Sequence, residues 1–223
     1  MHTDRVIFTY SNYQLDPRTV ELHKQVCEKL GTGICDYQYL FYNAPDGAVV
    51  PDQVIDYGLN QLFQKYKTVL ILDIDCVPLR PEALEYTFEQ AEKGILTGNV
   101  QRSNHIENNK HVYVAPSCMG LTKVMFPQGI PSFRPTIRGD IGEELTYIFE
   151  QQGQPFEMYL PRVYQALPYQ MDVPWDLNDE MPKYGIGTTF VNCNGMEMYY
   201  HLFQSRLKVF DHLFFTKCEE LLR

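Results

Sequence analysis

Val69-Leu70-Ile71-Leu72-Asp73-Ile74-Asp75-Cys76 decides the reading of this chain. Four successive large aliphatic residues suit a strand covered on both faces, as in a parallel sheet, where neither face meets water. Two carboxylates then follow, two residues apart. Strand alternation predicts Asp73 and Asp75 on one face and Ile74 on the other. In open α/β sheets, ligands bind beyond the carboxyl ends of the strands. Adjacent carboxylates repel, and one is driven towards protonation unless a cation lies between them. Carboxylate oxygens suit Mg²⁺ or Mn²⁺, and such a cation screens a diphosphate. The competing reading makes Asp73 a turn cap and Asp75 a solvated loop residue. So apolar a strand just before them argues for the cation.

Working outward, residues 5–10 (RVIFTY) form a short apolar run of strand type. Residues 16–30 carry Val20, Leu22, Val26, Cys27 and Leu30 at helical spacing, with Asp16 as N-cap and Pro17 at the first helical position. Gly31 and Gly33 end that helix. Residues 34–42 read as a second strand and residues 51–66 as a second helix. Pro78 and Pro81 stop the central strand, and residues 82–93 read as a third helix. Alternating strands and helices predict an α/β layer fold with parallel strands. Beyond it, residues 94–100 and 110–115 read as strands and residues 142–152 as a helix. Residues 171–187, rich in Pro, Asp and Gly, show no periodicity. Residues 207–222 are an amphipathic helix whose apolar stripe packs on its own core. We expect one domain: a nucleotide-binding half over about 1–100 and a substrate-facing half over about 101–223.

Composition narrows the function. The 223 residues are 44% hydrophobic and 21% charged, which excludes disordered, collagenous and coiled-coil chains. The net charge of −9 opposes a phosphate backbone, so no nucleic-acid partner is expected. The six cysteines are scattered without a C-x-x-C pair, so they read as reduced thiols. With no apolar run near ~20 residues and no signal-peptide core, a soluble cytoplasmic protein is expected. No G-x-G-x-x-G or G-x-x-x-x-G-K is present, which removes the dinucleotide and P-loop readings.

Asp73-Ile74-Asp75 after an apolar strand, itself preceded by two strand–helix units, resembles the D-x-D motif of GT-A-type glycosyltransferases. The likeness in order covers roughly residues 5–80. It implies a GT-A-like, Rossmann-type mixed sheet flanked by helices. It also implies a nucleotide diphosphate sugar donor (a UDP-sugar favoured), an acceptor hydroxyl, and Mn²⁺ or Mg²⁺. Asp75 would then be a direct metal ligand. Asp73 would contact the ribose, or the metal through water. Late in the chain, Tyr199-Tyr200-His201-Leu202-Phe203-Gln204-Ser205-Arg206 resembles the family's closing segment. His201 would complete the metal site, and Ser205 and Arg206 would reach the diphosphate, where arginine offers a bidentate fork. The plainer reading of His201 is an interior histidine among aromatics.

Arg138-Gly139-Asp140-Ile141-Gly142-Glu143-Glu144-Leu145 opens a helix, where inverting members of the family carry a base. Asp140, Glu143 or Glu144 would deprotonate the acceptor; ordinary capping explains each equally well. The segment leaves inverting and retaining chemistry open. Thr9, Tyr10 and Ser11 end the first strand, where the family begins to hold its nucleotide; Tyr10 stacks on a base or belongs to the core. Asp36 reads as a base or ribose contact, or as an exposed polar residue. Asn99 and Arg102 line the donor pocket, or sit in a solvated turn. Trp175 reads first as a cap over the core and second as an acceptor platform.

The expected activity is transfer of a hexose to a hydroxyl. One alternative is a haloacid-dehalogenase-type phosphatase with Asp73 as nucleophile and Asp75 as acid/base. Against it, two strand–helix units precede the motif, residues 135–138 make a poor late strand, and the interval from Asp75 to Asp140 is short. The other is a non-catalytic protein that binds a nucleotide sugar on the same fold.

Overall fold

The computed structural model describes residues 4–11, 15–42, 51–103, 111–165, 186–202 and 208–223. Its first half alternates strand and helix except where β4 follows β3 directly: β1 (Arg5–Ser11), α1 (Pro17–Leu30), β2 (Asp36–Phe41), α2 (Pro51–Leu62), β3 (Thr68–Leu72), β4 (Cys76–Pro78), α3 (Pro81–Glu92) and β5 (Leu96–Arg102). The second half holds β6 (Val112–Thr122), α4 (Glu143–Gln152), β7 (Phe156–Gln165), β8 (Ile186–Val191), β9 (Glu197–His201) and α5 (Asp211–Leu222). Local chemistry sets the boundaries. The Asp16 side chain accepts from Arg18 N and Pro17 opens α1. Pro81 opens α3. Gly153, with φ 61°, closes α4 in the left-handed region that glycine favours.

The described strands form one mixed sheet of nine in the order β2-β1-β3-β6-β5-β7-β8-β9-β4, flanked by the five helices. Only β1–β2, β1–β3 and β5–β7 are parallel; the remaining pairings are antiparallel. The parallel layer expected from the first half therefore stops at β3, where β6 enters from the opposite direction. The order has a second consequence. β3 lies third in the sheet and β4 last, yet the two are joined through residues 73–75 alone. The far edge of the sheet is thus stitched back to its middle.

β3 is wholly buried and feeds two layers. Val69 and Ile71 pack with Ile55, Leu59 and Phe63 around α2 and with Leu145 and Phe149 of α4. Leu70 and Leu72 pack with Ala83, Leu84 and Phe88 of α3 and with Cys27 of α1. Each such buried side chain contributes roughly 1.5–3 kcal/mol. A third cluster joins Leu22 and Val26 of α1, Val77 of β4, Tyr200 and Leu202 around β9, and Phe214 and Cys218 of α5. The expected self-packing of the C-terminal stripe is this cluster.

Several elements differ from expectation. β6 runs to Thr122 rather than stopping near 115, because a bulge absorbs Pro116. Asn99 alone stands between pairings that on β6 jump from Met119 to Val114. β7 and β9 went unread because aromatic, proline-bearing and charged residues blur their alternation. Most of the aperiodic stretch 171–187, with Trp175, lies outside the described residues. All six cysteines are free thiols: Cys27, Cys76, Cys118 and Cys218 are buried, and Cys193 is exposed. No described helix is long and apolar enough to cross a membrane.

Candidate metal centre

β3 ends at Leu72, and Asp73 N–H donates to Ser117 O in the β6 bulge (3.1 Å). Cys76 N–H then donates to Asp73 O (2.9 Å), closing a turn over residues 73–75. The two carboxylates therefore converge through a turn; strand alternation, which the sequence suggested, has ended one residue earlier. Cys76 opens β4 and pairs with His201 of β9, while Leu202 N–H donates to Asp75 O (2.9 Å). This pairing carries His201 to the carboxylates across 126 residues of sequence. Its Nε2 lies 3.2 Å from Asp75 Oδ1 and 3.9 Å from Asp73 Oδ2. One ligand atom from each of the three residues falls within 4.8 Å of the others.

The electrostatics follow from crowding like charges. Asp75 and His201 are buried, while the Asp73 side chain stays 34% exposed at the rim. The protein packed beneath Asp73, then the charge on Asp75, push its carboxyl up to about 6; His201 and the Tyr10 hydroxyl pull it partly back. Burial pulls the His201 imidazole down, but Asp75 and then Asp73 outweigh it, so the ring holds its proton above the usual histidine range. A proton on that ring offsets the paired carboxylates, as a divalent cation would. Two carboxylate oxygens and one imidazole nitrogen are a donor set suited to Mn²⁺, and to Mg²⁺ less well because of the nitrogen.

The turn is held from below. His23 Nε2 donates to Cys76 O (2.9 Å), and its Nδ1 meets the Tyr37 hydroxyl (3.0 Å). Burial keeps this imidazole neutral, pushed down to about 4. The Asn99 Nδ2 group donates to Cys76 Sγ (3.6 Å).

No family model matches this chain. No curated protein matches it either. Two solved structures are similar at low identity. A197 from STIV is 14% identical, with a TM-score of 0.41 over 70% of this chain and 80% of that one. A "putative nucleotide-diphospho-sugar transferase" from Desulfovibrio desulfuricans G20 is 11% identical, with a TM-score of 0.40 over 69% of this chain and 78% of that one.

The remaining residues singled out in the sequence divide by place. Tyr10 stands near the triad, where the charges of Asp73 and Asp75 add to the burial that raises its hydroxyl pKa. Thr9 is buried with its hydroxyl unpartnered, and Ser11 Oγ meets the Tyr39 hydroxyl (2.7 Å). Asn99 lies buried under the turn with Oδ1 unpartnered, and Arg102 ends the same strand three residues on. Asp36 does not join them. It starts β2, at the end of the sheet away from the triad, and accepts from the Tyr66 hydroxyl (2.9 Å). Ser205 and Arg206 lie outside the described residues.

The acids before α4 are engaged unequally. Glu143 is fully buried; it accepts from His111 Nδ1 (2.5 Å) and from Asp140 N–H (2.7 Å), which makes it a cap and an ion-pair partner. Glu144 is paired with Arg138. The Asp140 carboxylate accepts from Ile141 N–H (2.8 Å), has no side-chain partner among the described residues, and keeps partial exposure. A Cβ on Gly142 would stand 2.9 Å from Pro116 of the β6 bulge, one residue from the Ser117 carbonyl that holds Asp73. The bulge thus joins this helix start to the metal centre. Sequence reading missed His111, which clamps Glu143, and Asp211. Asp211 is buried at the start of α5 with Oδ1 unpartnered, near enough to Asp16 and Asp75 for their charges to add to its raised pKa, which burial chiefly causes. No local pattern links residues so far apart.

Proposed function

We propose that this protein is a divalent-metal-dependent glycosyltransferase that moves a hexose from a nucleotide diphosphate sugar to an acceptor hydroxyl. One observation carries the reading: Asp73, Asp75 and His201 converge at the tip of the buried central strand with ligand atoms within 4.8 Å of one another. A bound Mn²⁺ or Mg²⁺ would be held by these three side chains and would supply positive charge against the leaving diphosphate. The chain's own residues do the rest. Tyr10 sets its hydroxyl beside Asp73 and favours the ionised carboxylate. Thr9, Ser11, Asn99 and Arg102 belong to the donor half, over about 1–100. Ser205 and Arg206, close behind His201 in sequence, would offer a hydroxyl and a guanidinium to the diphosphate. The acceptor oxygen attacks the anomeric carbon, the bond to the diphosphate breaks, and Asp140 takes the hydroxyl proton. Of the three acids proposed as base, Asp140 is the one whose carboxylate no other side chain engages among the described residues.

The test is thermal unfolding with UDP-, GDP- and CMP-sugars, with and without Mn²⁺. A ligand that binds only the folded state at 100 times its Kd stabilises by about 2.7 kcal/mol. One donor should raise the melting temperature, only when Mn²⁺ is present, and Asp75→Ala should abolish the rise. A rise that survives in Asp75→Ala removes the reading. Hydrolysis of p-nitrophenyl phosphate that disappears in Asp73→Asn would instead favour the phosphatase.

A further inference from the structure

Two cavities lie apart from the metal centre, with none of its three ligand residues in their lining. One, of about 590 Å³, is walled by Leu59, Phe63, Phe126 and Ile130, with Asn60, Gln64 and Lys123 at its rim. The other, of about 560 Å³, is lined by Gln53, Arg134, Pro135 and Ile141. Asp56 and Ser132 border both, so the two form one groove between α2 and residues 126–135. Each is of the size that holds a small ligand; joined end to end they suit an extended one. One end reaches Ile141, beside Asp140. There too lies Asp52, close enough to Tyr10 that its charge acts on that hydroxyl.

The groove is less acidic than the molecule as a whole, because Lys123 and Arg134 offset Asp52 and Asp56 in its lining. The chain carries −9 overall. Asp56 is satisfied by Ser132 Oγ (2.5 Å) and Phe133 N–H (2.9 Å), and Asp52 is buried. Lys123 and Arg134 are exposed, and neither charged side-chain group has a hydrogen-bond or ion-pair partner among the described residues. Most other described cations are engaged, such as Arg5 with Glu92, Arg18 with Glu219, Lys67 with Asp4, Arg80 with Glu197, Arg138 with Glu144 and Lys217 with Glu220. Two free cations in one groove of an acidic protein call for anionic groups. The amides of Gln53, Asn60 and Gln64 add donors and acceptors suited to sugar hydroxyls. Single negative charges spread along a chain fit two separated cations, whereas dense phosphate charge meets the repulsion of the whole molecule.

We propose that this groove is the acceptor site and that the acceptor is a uronate-bearing oligosaccharide, its carboxylates on Arg134 and Lys123 and its terminal hydroxyl at Asp140. The inference rests on the glycosyltransferase reading and names its acceptor class. Titration calorimetry tests it without metal or donor, using trigalacturonate, maltotriose and a phosphorylated maltotriose as probes. Trigalacturonate should bind, more weakly as salt rises. The Lys123→Ala/Arg134→Ala double variant should lose about tenfold or more in affinity, as expected for charge-assisted bonds. Lys93→Ala, at a free cation outside the groove, should change nothing. The proposal fails if trigalacturonate does not bind, if maltotriose binds as well, if only the phosphorylated trimer binds, or if the double variant binds unchanged. Because donor and metal are absent, failure here leaves the donor melting shift intact. A missing melting shift with retained, salt-sensitive trigalacturonate binding would overturn the transferase reading and leave the groove.

Discussion

His23 and His111 answer to pH in opposite senses. Burial pushes His23 down to about 4, so the unfolded chain binds its proton more readily than the native one. Its contribution, about 3 kcal/mol for a shift of that size, is present above the unfolded value of about 6.5 and is lost as pH falls through 4. For His111, burial pulls the imidazole down, but Glu143 and Glu150 outweigh it and the net shift is upward. Its contribution is present below about 6.5 and is lost as pH rises through the raised native value. Urea unfolding between pH 4 and pH 9 should show a maximum near neutrality. His23→Gln should flatten the acid limb, and His111→Gln the alkaline one; an unchanged acid limb in His23→Gln contradicts the assignment. At this scale the sequence was readable wherever a residue acts through its neighbours in the chain. Asp73 and Asp75 stood out because an apolar strand frames them. His111 and His23 did not, because their partners Glu143, Tyr37 and Cys76 come from other elements.

Helices report how closely elements approach. Gly58 sits in α2 where an added Cβ would stand 2.2 Å from Phe8 Cζ, in a ring that is itself buried in β1. Alanine gains about 1 kcal/mol over glycine in a helix, but forcing a methyl into a filled core costs about 1–3 kcal/mol. Phe8 has no room to retreat, so the second effect wins. Gly58→Ala should lower the urea midpoint at an unchanged slope, by up to about 2 kcal/mol. α4 separates support from chemistry in the same way. Glu143→Ala breaks a buried pair and orphans Asp140 N–H, so it should cost about 3 kcal/mol of stability. Glu144→Ala breaks a part-exposed pair with Arg138 and should cost under about 1 kcal/mol. Asp140→Ala should leave the melting temperature nearly unchanged while transfer is lost, a split that a capping role alone would not produce. Helices were legible because caps and 3.6-residue periodicity are local. β7 and β9 were not, because their burial is decided by strands far away in sequence.

For the molecule as a whole, α5 acts on the metal centre without touching it. Phe214 packs with Val77, Tyr200 and Leu202, which flank Asp75 and His201 along β4 and β9. Phe214→Ala should cost about 3–5 kcal/mol. Because the cavity opens behind the pairing that delivers His201, Mn²⁺ affinity measured by calorimetry well below the melting temperature should fall as well. Unchanged affinity would show that β4 and β9 hold the triad unaided. The alternation of the first half announced a layered α/β architecture, since each local signal there agreed with the global one. The return of the sheet edge through residues 73–75 was beyond any window of sequence, for it is a property of strand order alone. That stitch fixes when the centre can come into being. A polypeptide leaving the ribosome presents both aspartates early and the histidine more than a hundred residues later. A partly synthesised chain therefore has no complete cradle for an ion, and loading must wait until the closing strand has docked.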